Sequence, residues 1–107
     1  MITVHNKKNL SVAGANGIYI GRPHPLGNPF RIGEDGTRDN VIRAYSEWLD
    51  NELNRNGMGL IACNFRALKV EYINTGRLDL ICWCAPEPCH GDIIRDLILD
   101  MTKDRVA

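Results

Sequence analysis

The stretch Cys82–Asp92, CWCAPEPCHGD, places three cysteines, a histidine and an aspartate within eleven residues, around two prolines. Three chemistries are open to it. Cys82, Cys84, Cys89 and His90 are the donor types of a zinc site. Closed zinc sites usually draw two ligand pairs from distant parts of a chain, and this chain has no second pair. A cysteine at a helix N-terminus has a lowered pKa and ionises readily, a description that fits Cys89. His90 or Asp92 would then serve as general base or nucleophile. The third reading is packing. Buried cysteine behaves as a small hydrophobe, Asp92 can complement a helix dipole, and His90 can satisfy a local hydrogen bond. Packing suits Cys82, which lies inside an apolar run. It is evenly balanced for Cys84. Cys89, His90, Gly91 and Asp92 read as functional, because polar groups gather there at the end of a strand and the start of a helix. Cys89 and Arg95 also have the Cys-x5-Arg spacing of a phosphatase loop. Asp92 would put a negative charge inside that loop, and Ile93 and Ile94 read as core, so the match is discounted.

The second chemical stretch is Gly21–Phe30, GRPHPLGNPF. Arg22 follows a strand and precedes a proline, and its guanidinium is suited to a two-pronged grip on phosphate or carboxylate. Asn28 precedes Pro29, a step that favours a turn with the amide placed for hydrogen bonding. The plain alternative is a rigid loop whose arginine forms a surface salt bridge and whose Phe30 plugs the core.

These stretches need elements to position them. Ile2–His5 is a short strand-like run, and Gly17–Gly21 holds a second, bounded by glycines. The polar stretch between them suggests a hairpin. Residues 22–36 carry three prolines and three glycines and form a long loop, not a helix. Thr37 is an N-cap, and Val41, Ile42, Tyr45, Trp48, Leu49 and Leu53 follow at helical spacing until Asn56-Gly57. A second helix runs through Ile61, Phe65, Leu68 and Tyr72 and stops by Gly76. Leu78–Trp83 is a nearly continuous apolar run of strand length, suited to a central strand covered on both faces. The last helix starts near Cys89, with Ile93, Ile94, Leu97, Ile98 and Met101 on one face. The order β-β-α-α-β-α predicts one small α/β domain over residues 1–107. A short mixed sheet is flanked by about three helices on both faces, with a polar tail from about residue 103. Ligands in such folds bind beyond the carboxyl ends of the strands, where the next helix offers unpaired N–H groups to an anion.

Composition narrows the field. The chain has 107 residues, 44% of them apolar, enough for one core without disulfides or metals. Thirteen basic residues balance thirteen acidic ones, which argues against general nucleic-acid binding. No apolar run is long enough for a membrane span, and MITVHNKKNL lacks the apolar stretch of a secretory signal. The expectation is a cytoplasmic protein with reduced thiols.

Together the two motifs resemble a family of small phage and bacterial proteins of unknown function. Its signature is Gly-Arg-Pro, a spacer and Gly-Asn-Pro-Phe, then Cys-Trp-Cys-x-Pro-x-x-Cys-His-Gly-Asp. The helix start GEDGTRDNVI, Tyr45 and Trp48 are similar as well, so the resemblance runs from about Ile18 to Leu97. The late motif is also similar to a Cys-x-Glu…Cys-His-Arg segment of another small α/β family. Where that family has arginine after Cys-His, this chain has Gly91-Asp92. The resemblance implies nucleotide metabolism or counter-defence as settings. The leading expectation is a site for a nucleotide or a phosphorylated ribosyl compound, shared by both motifs at the end of the central strand. Arg22, Asn28 and Gly91 would bind the ligand. Cys89, His90 and Asp92 would act on it if turnover occurs, by hydrolysis or transfer at a glycosidic bond. Tyr19 or Trp83 is available to stack on a base, but packing in the core is the favoured reading of both. No cofactor is expected. The alternative is a zinc-stabilised interaction module, and a homodimer is compatible with the apolar helix faces.

Overall fold

Leu78–Cys82 (β3) is buried at every position. A strand enclosed on both faces and both edges needs an apolar run, and LDLIC supplies one apart from Asp79. In the computed structural model, which describes residues 1–9, 17–84 and 87–103, β3 is the middle of three strands. Ile2–Asn6 (β1) pairs with one edge, from Ile2 opposite Leu78 to Asn6 opposite Cys82. Ile18–Tyr19 (β2) pairs with the other, Ile18 opposite Leu80.

Both pairings are parallel. The α/β class is as expected, but the sheet is not mixed and β1 and β2 form no hairpin. The reason is topological: β3, late in sequence, inserts between them, and parallel neighbours need a crossover rather than a tight turn. Between β2 and β3 that crossover contains Arg38–Arg55 (α1) and Leu60–Thr75 (α2). After β1 a short 3-10 turn covers Lys7–Asn9, and the rest of the expected hairpin loop, 10–16, lies outside the described residues, as does the tail from 104.

The helices begin and end where local chemistry directs. Thr37 caps α1: its hydroxyl accepts from the Asn40 amide at 3.2 Å, and the Asn40 side chain accepts from the Thr37 amide at 3.1 Å. Gly76 ends α2 at φ 72°, a left-handed conformation that glycine adopts without steric penalty. His90–Thr102 (α3) starts from Cys89.

One face of the sheet, with Ile2, Leu78, Leu80 and Cys82, joins residues of all three helices in a single cluster: Tyr45 and Leu49 of α1, Phe65, Leu68 and Tyr72 of α2, Ile94 and Ile98 of α3. The helices therefore share one core, where the sequence suggested coverage of both faces. Met101, expected on the apolar face of α3, is largely exposed. Asp79 points the other way and is buried. Burial alone would raise its pKa, but hydrogen bonds from His5 Nε2 and Arg77 Nε, each 2.8 Å, hold it below the ordinary value. Among the described residues, no helix is long and apolar enough to cross a membrane.

Candidate small-ligand site

The loop Gly21–Phe30 is tied down by its own polar groups. Leu26 is fully buried, its carbonyl accepts the Tyr45 hydroxyl at 2.7 Å, and its amide donates to His24 Nδ1 at 3.0 Å. Burial holds the His24 pKa below its ordinary value, which keeps Nδ1 a lone-pair acceptor. Asn28 Oδ1 accepts from the Phe30 amide at 2.9 Å, and Asn28 Nδ2 donates to the Val41 carbonyl at 3.3 Å. Arg22 donates from Nη1 to the Asn28 carbonyl at 3.2 Å, which orients an otherwise exposed guanidinium. The loop is a fixed wall anchored to the first turn of α1.

Facing it is the junction of β3 and α3. Cys82 and Cys89 are both buried, with their sulfurs 3.3 Å apart. The thiol contact with Cys82 and burial push Cys89 well above the ordinary cysteine range, and the hydrogen bond from the Gly91 amide is too weak an opposing effect. This is the opposite of the lowered pKa expected from the helix terminus, and Cys89 is a protonated thiol. Asp92 Oδ2 accepts from the Cys89 amide at 3.1 Å and Oδ1 from Arg95 at 3.3 Å. Asp92 thus closes the helix start. Gly91 is glycine for packing: a Cβ there would sit 3.0 Å from Val4 Cγ1 and 3.1 Å from Ile20 Cδ1.

Of the expected reactive groups Cys89, His90 and Asp92, His90 is the one with chemistry still available. It is buried, stands edge-on to Tyr45 with ring centroids 5.2 Å apart, and its Nε2 lies 2.8 Å from the Ile20 carbonyl. A carbonyl only accepts, so Nε2 carries the proton. Burial lowers the His90 pKa; the Ile20 hydrogen bond works against this and the Arg22 charge adds to it. The imidazole is neutral at pH 7, and Nδ1 is its lone-pair nitrogen.

Both motifs line one cavity of about 490 Å³, within the range of small-ligand sites. Arg22, Asn28, Cys89 and His90 contribute to its walls; Gly91 and Asp92 do not. Of the expected ligand contacts, Asn28 has its amide engaged by the loop and helix, and Gly91 faces protein. Of the expected reactive groups, Asp92 is engaged at the helix cap. Phe30, Arg31, Arg38 and Cys84 are among the further lining residues that motif reasoning did not single out for binding. Trp83, expected inside the strand, follows its end and is exposed.

Electrostatics set the character of the cavity. Arg22, Arg31 and Arg38 line it against a single carboxylate, Glu34. Among the described residues none of the three arginines forms an ion pair. Arg38 reaches across to donate to the Pro88 carbonyl at 3.1 Å, joining α1 to the segment before α3. A chain with zero net charge thus concentrates positive charge at one concave place. Among the described residues no group of three or more His, Cys, Asp or Glu is arranged to hold a metal ion, so the donor set considered for zinc is not assembled.

Comparison with curated proteins and with solved structures gave no match. A family model does match, over residues 2–100, nearly the whole chain. The chain belongs to the family described as Domain of unknown function (DUF4326).

Proposed function

We propose that the cavity binds a phosphorylated nucleoside or a related phosphorylated ribosyl compound. The observation that carries this reading is the convergence of Arg22, Arg31 and Arg38, without carboxylate partners among the described residues, on the cavity into which His90 faces. Fixed guanidinium groups suit phosphate because they present several donors in a plane. Arg22 is held by the Asn28 carbonyl and Arg38 by the Pro88 carbonyl, so less freedom is lost on binding.

His90 supplies the chemistry if the ligand is turned over. Nδ1 of the neutral imidazole would take a proton from water as the water oxygen bonds to the anomeric carbon. The electron pair of the glycosidic bond leaves with the base, which takes up the proton from the imidazolium or from solvent. The products are free base and ribose phosphate. Cys89 has no covalent role in this scheme, because its thiol is protonated and in contact with Cys82.

A thermal-shift series with AMP, ribose 5-phosphate, adenosine and inorganic phosphate tests the reading. Stabilisation that grows with the logarithm of concentration is expected for the two phosphorylated ribosyl compounds. No shift with either would overturn it. Chromatography of the incubated AMP then separates turnover from sequestration: adenine release indicates hydrolysis, and intact AMP indicates binding alone.

A further inference from the structure

The cavity also has an aromatic corner. Trp83 donates its indole N–H to the Tyr19 hydroxyl at 3.1 Å, and that hydroxyl donates to the Arg22 carbonyl at 3.0 Å. Gly21 leaves room for this arrangement, since a Cβ there would collide with the Tyr19 hydroxyl and ring. The Lys7 ammonium lies 4.5 Å from the Tyr19 ring centroid and 5.0 Å from that of Trp83. Tyr19 and Trp83 both line the cavity and Lys7 does not. Tyr19 and Trp83 therefore have a cation over their rings and also border the cavity.

Trp83 is 54% exposed, although it follows a fully buried strand. Its one polar atom is already bonded to Tyr19, so what it presents is π surface. The Tyr19 hydroxyl is likewise engaged at both ends. Two rings locked by a hydrogen bond, backed by an ammonium and open to a cavity with a cationic wall, match a ligand with a flat ring at one end and an anion at the other.

We infer that Tyr19 and Trp83, backed by Lys7, form a stacking platform for a purine base whose phosphate lies among the arginines. The inference rests on the function proposed above and adds the identity of the base. Any base has a π face, but the two fused rings of a purine cover more of a two-ring platform than a pyrimidine does. The lysine over the rings withdraws electron density from them, which favours an electron-rich partner.

Titration of the Trp48→Phe variant, in which Trp83 is the single indole, gives the test. AMP is expected to quench the emission and to bind about tenfold tighter than ribose 5-phosphate, with UMP in between. Trp83→Leu, an exposed substitution, should remove the gain of AMP over ribose 5-phosphate. Lys7→Met should reduce that gain. Equal affinity for AMP and ribose 5-phosphate would overturn the platform and leave the phosphate site standing. Binding of neither would overturn both.

Discussion

The imidazole of His90 donates to the carbonyl of Ile20 at 2.8 Å, a contact between residues seventy positions apart. It joins the end of one edge strand to the start of the last helix, and it sets which imidazole nitrogen carries the proton. Ile20 in turn hydrogen-bonds through its amide to the Ile81 carbonyl at 2.9 Å, so the acceptor is fixed by the central strand.

A pH dependence of stability follows. Folding lowers the His90 pKa below its ordinary 6.5, so the unfolded chain binds the proton more readily. The stability is present above pH 6.5 and is lost as pH falls from there through the lowered value. His24 shifts the same way, also by burial, and contributes over the same range. Asp79, lowered from 3.8, acts only at lower pH. Melting temperature should decline between pH 7 and pH 5, and His90→Gln should flatten that slope. An unchanged slope in the variant would show that His90 is not held neutral.

Gly91→Ala sets two effects against each other. Alanine gains about 1 kcal/mol over glycine in a helix. Its methyl group would press on Val4 and on Ile20, which is fully buried, and overpacking of this kind costs about 1–3 kcal/mol. Since Ile20 also carries the carbonyl that holds His90, the loss should prevail. Denaturant unfolding should show a net destabilisation of about 1 kcal/mol, whereas a gain would mean that this contact relaxes freely.

Asn28→Ala should act through the scaffold. It removes the bonds to the Val41 carbonyl and the Phe30 amide, a loss of about 1–3 kcal/mol for partly buried partners. Ligand affinity, measured where the variant is still folded, should fall less than in Arg22→Gln. The reverse order would return Asn28 to direct ligand contact.

Cys89→Ala should leave binding within about threefold, as expected for a buried, protonated thiol that packs and does not react. Stability should drop by about 1 kcal/mol from the lost contact with Cys82. Complete loss of turnover in a folded variant would restore a chemical role to the sulfur.

Local signals in the sequence carried most of the element boundaries. Thr37, Asn56-Gly57 and Gly76 mark helix ends because capping is decided within a few residues. The apolar run from Leu78 marks the enclosed strand for the same reason. Strand pairing was not legible: β2 is two residues long, and its partner lies sixty-two positions away. That Arg22 and His90 share a cavity agrees with where α/β folds place ligands. Arg31 and Arg38 were missed because an arginine beside a loop reads like any surface arginine until the loop folds over α1. The sign of the Cys89 shift was missed because it depends on Cys82, brought to 3.3 Å by the turn between strand and helix.

Isothermal titration of the wild-type protein with AMP and with adenosine tests the central claim most directly. Loss of a charge-assisted phosphate contact should weaken adenosine at least about tenfold relative to AMP, and Arg22→Gln or Arg31→Gln should narrow that difference. Equal affinities, or a difference untouched by either substitution, would contradict an arginine-lined phosphate site.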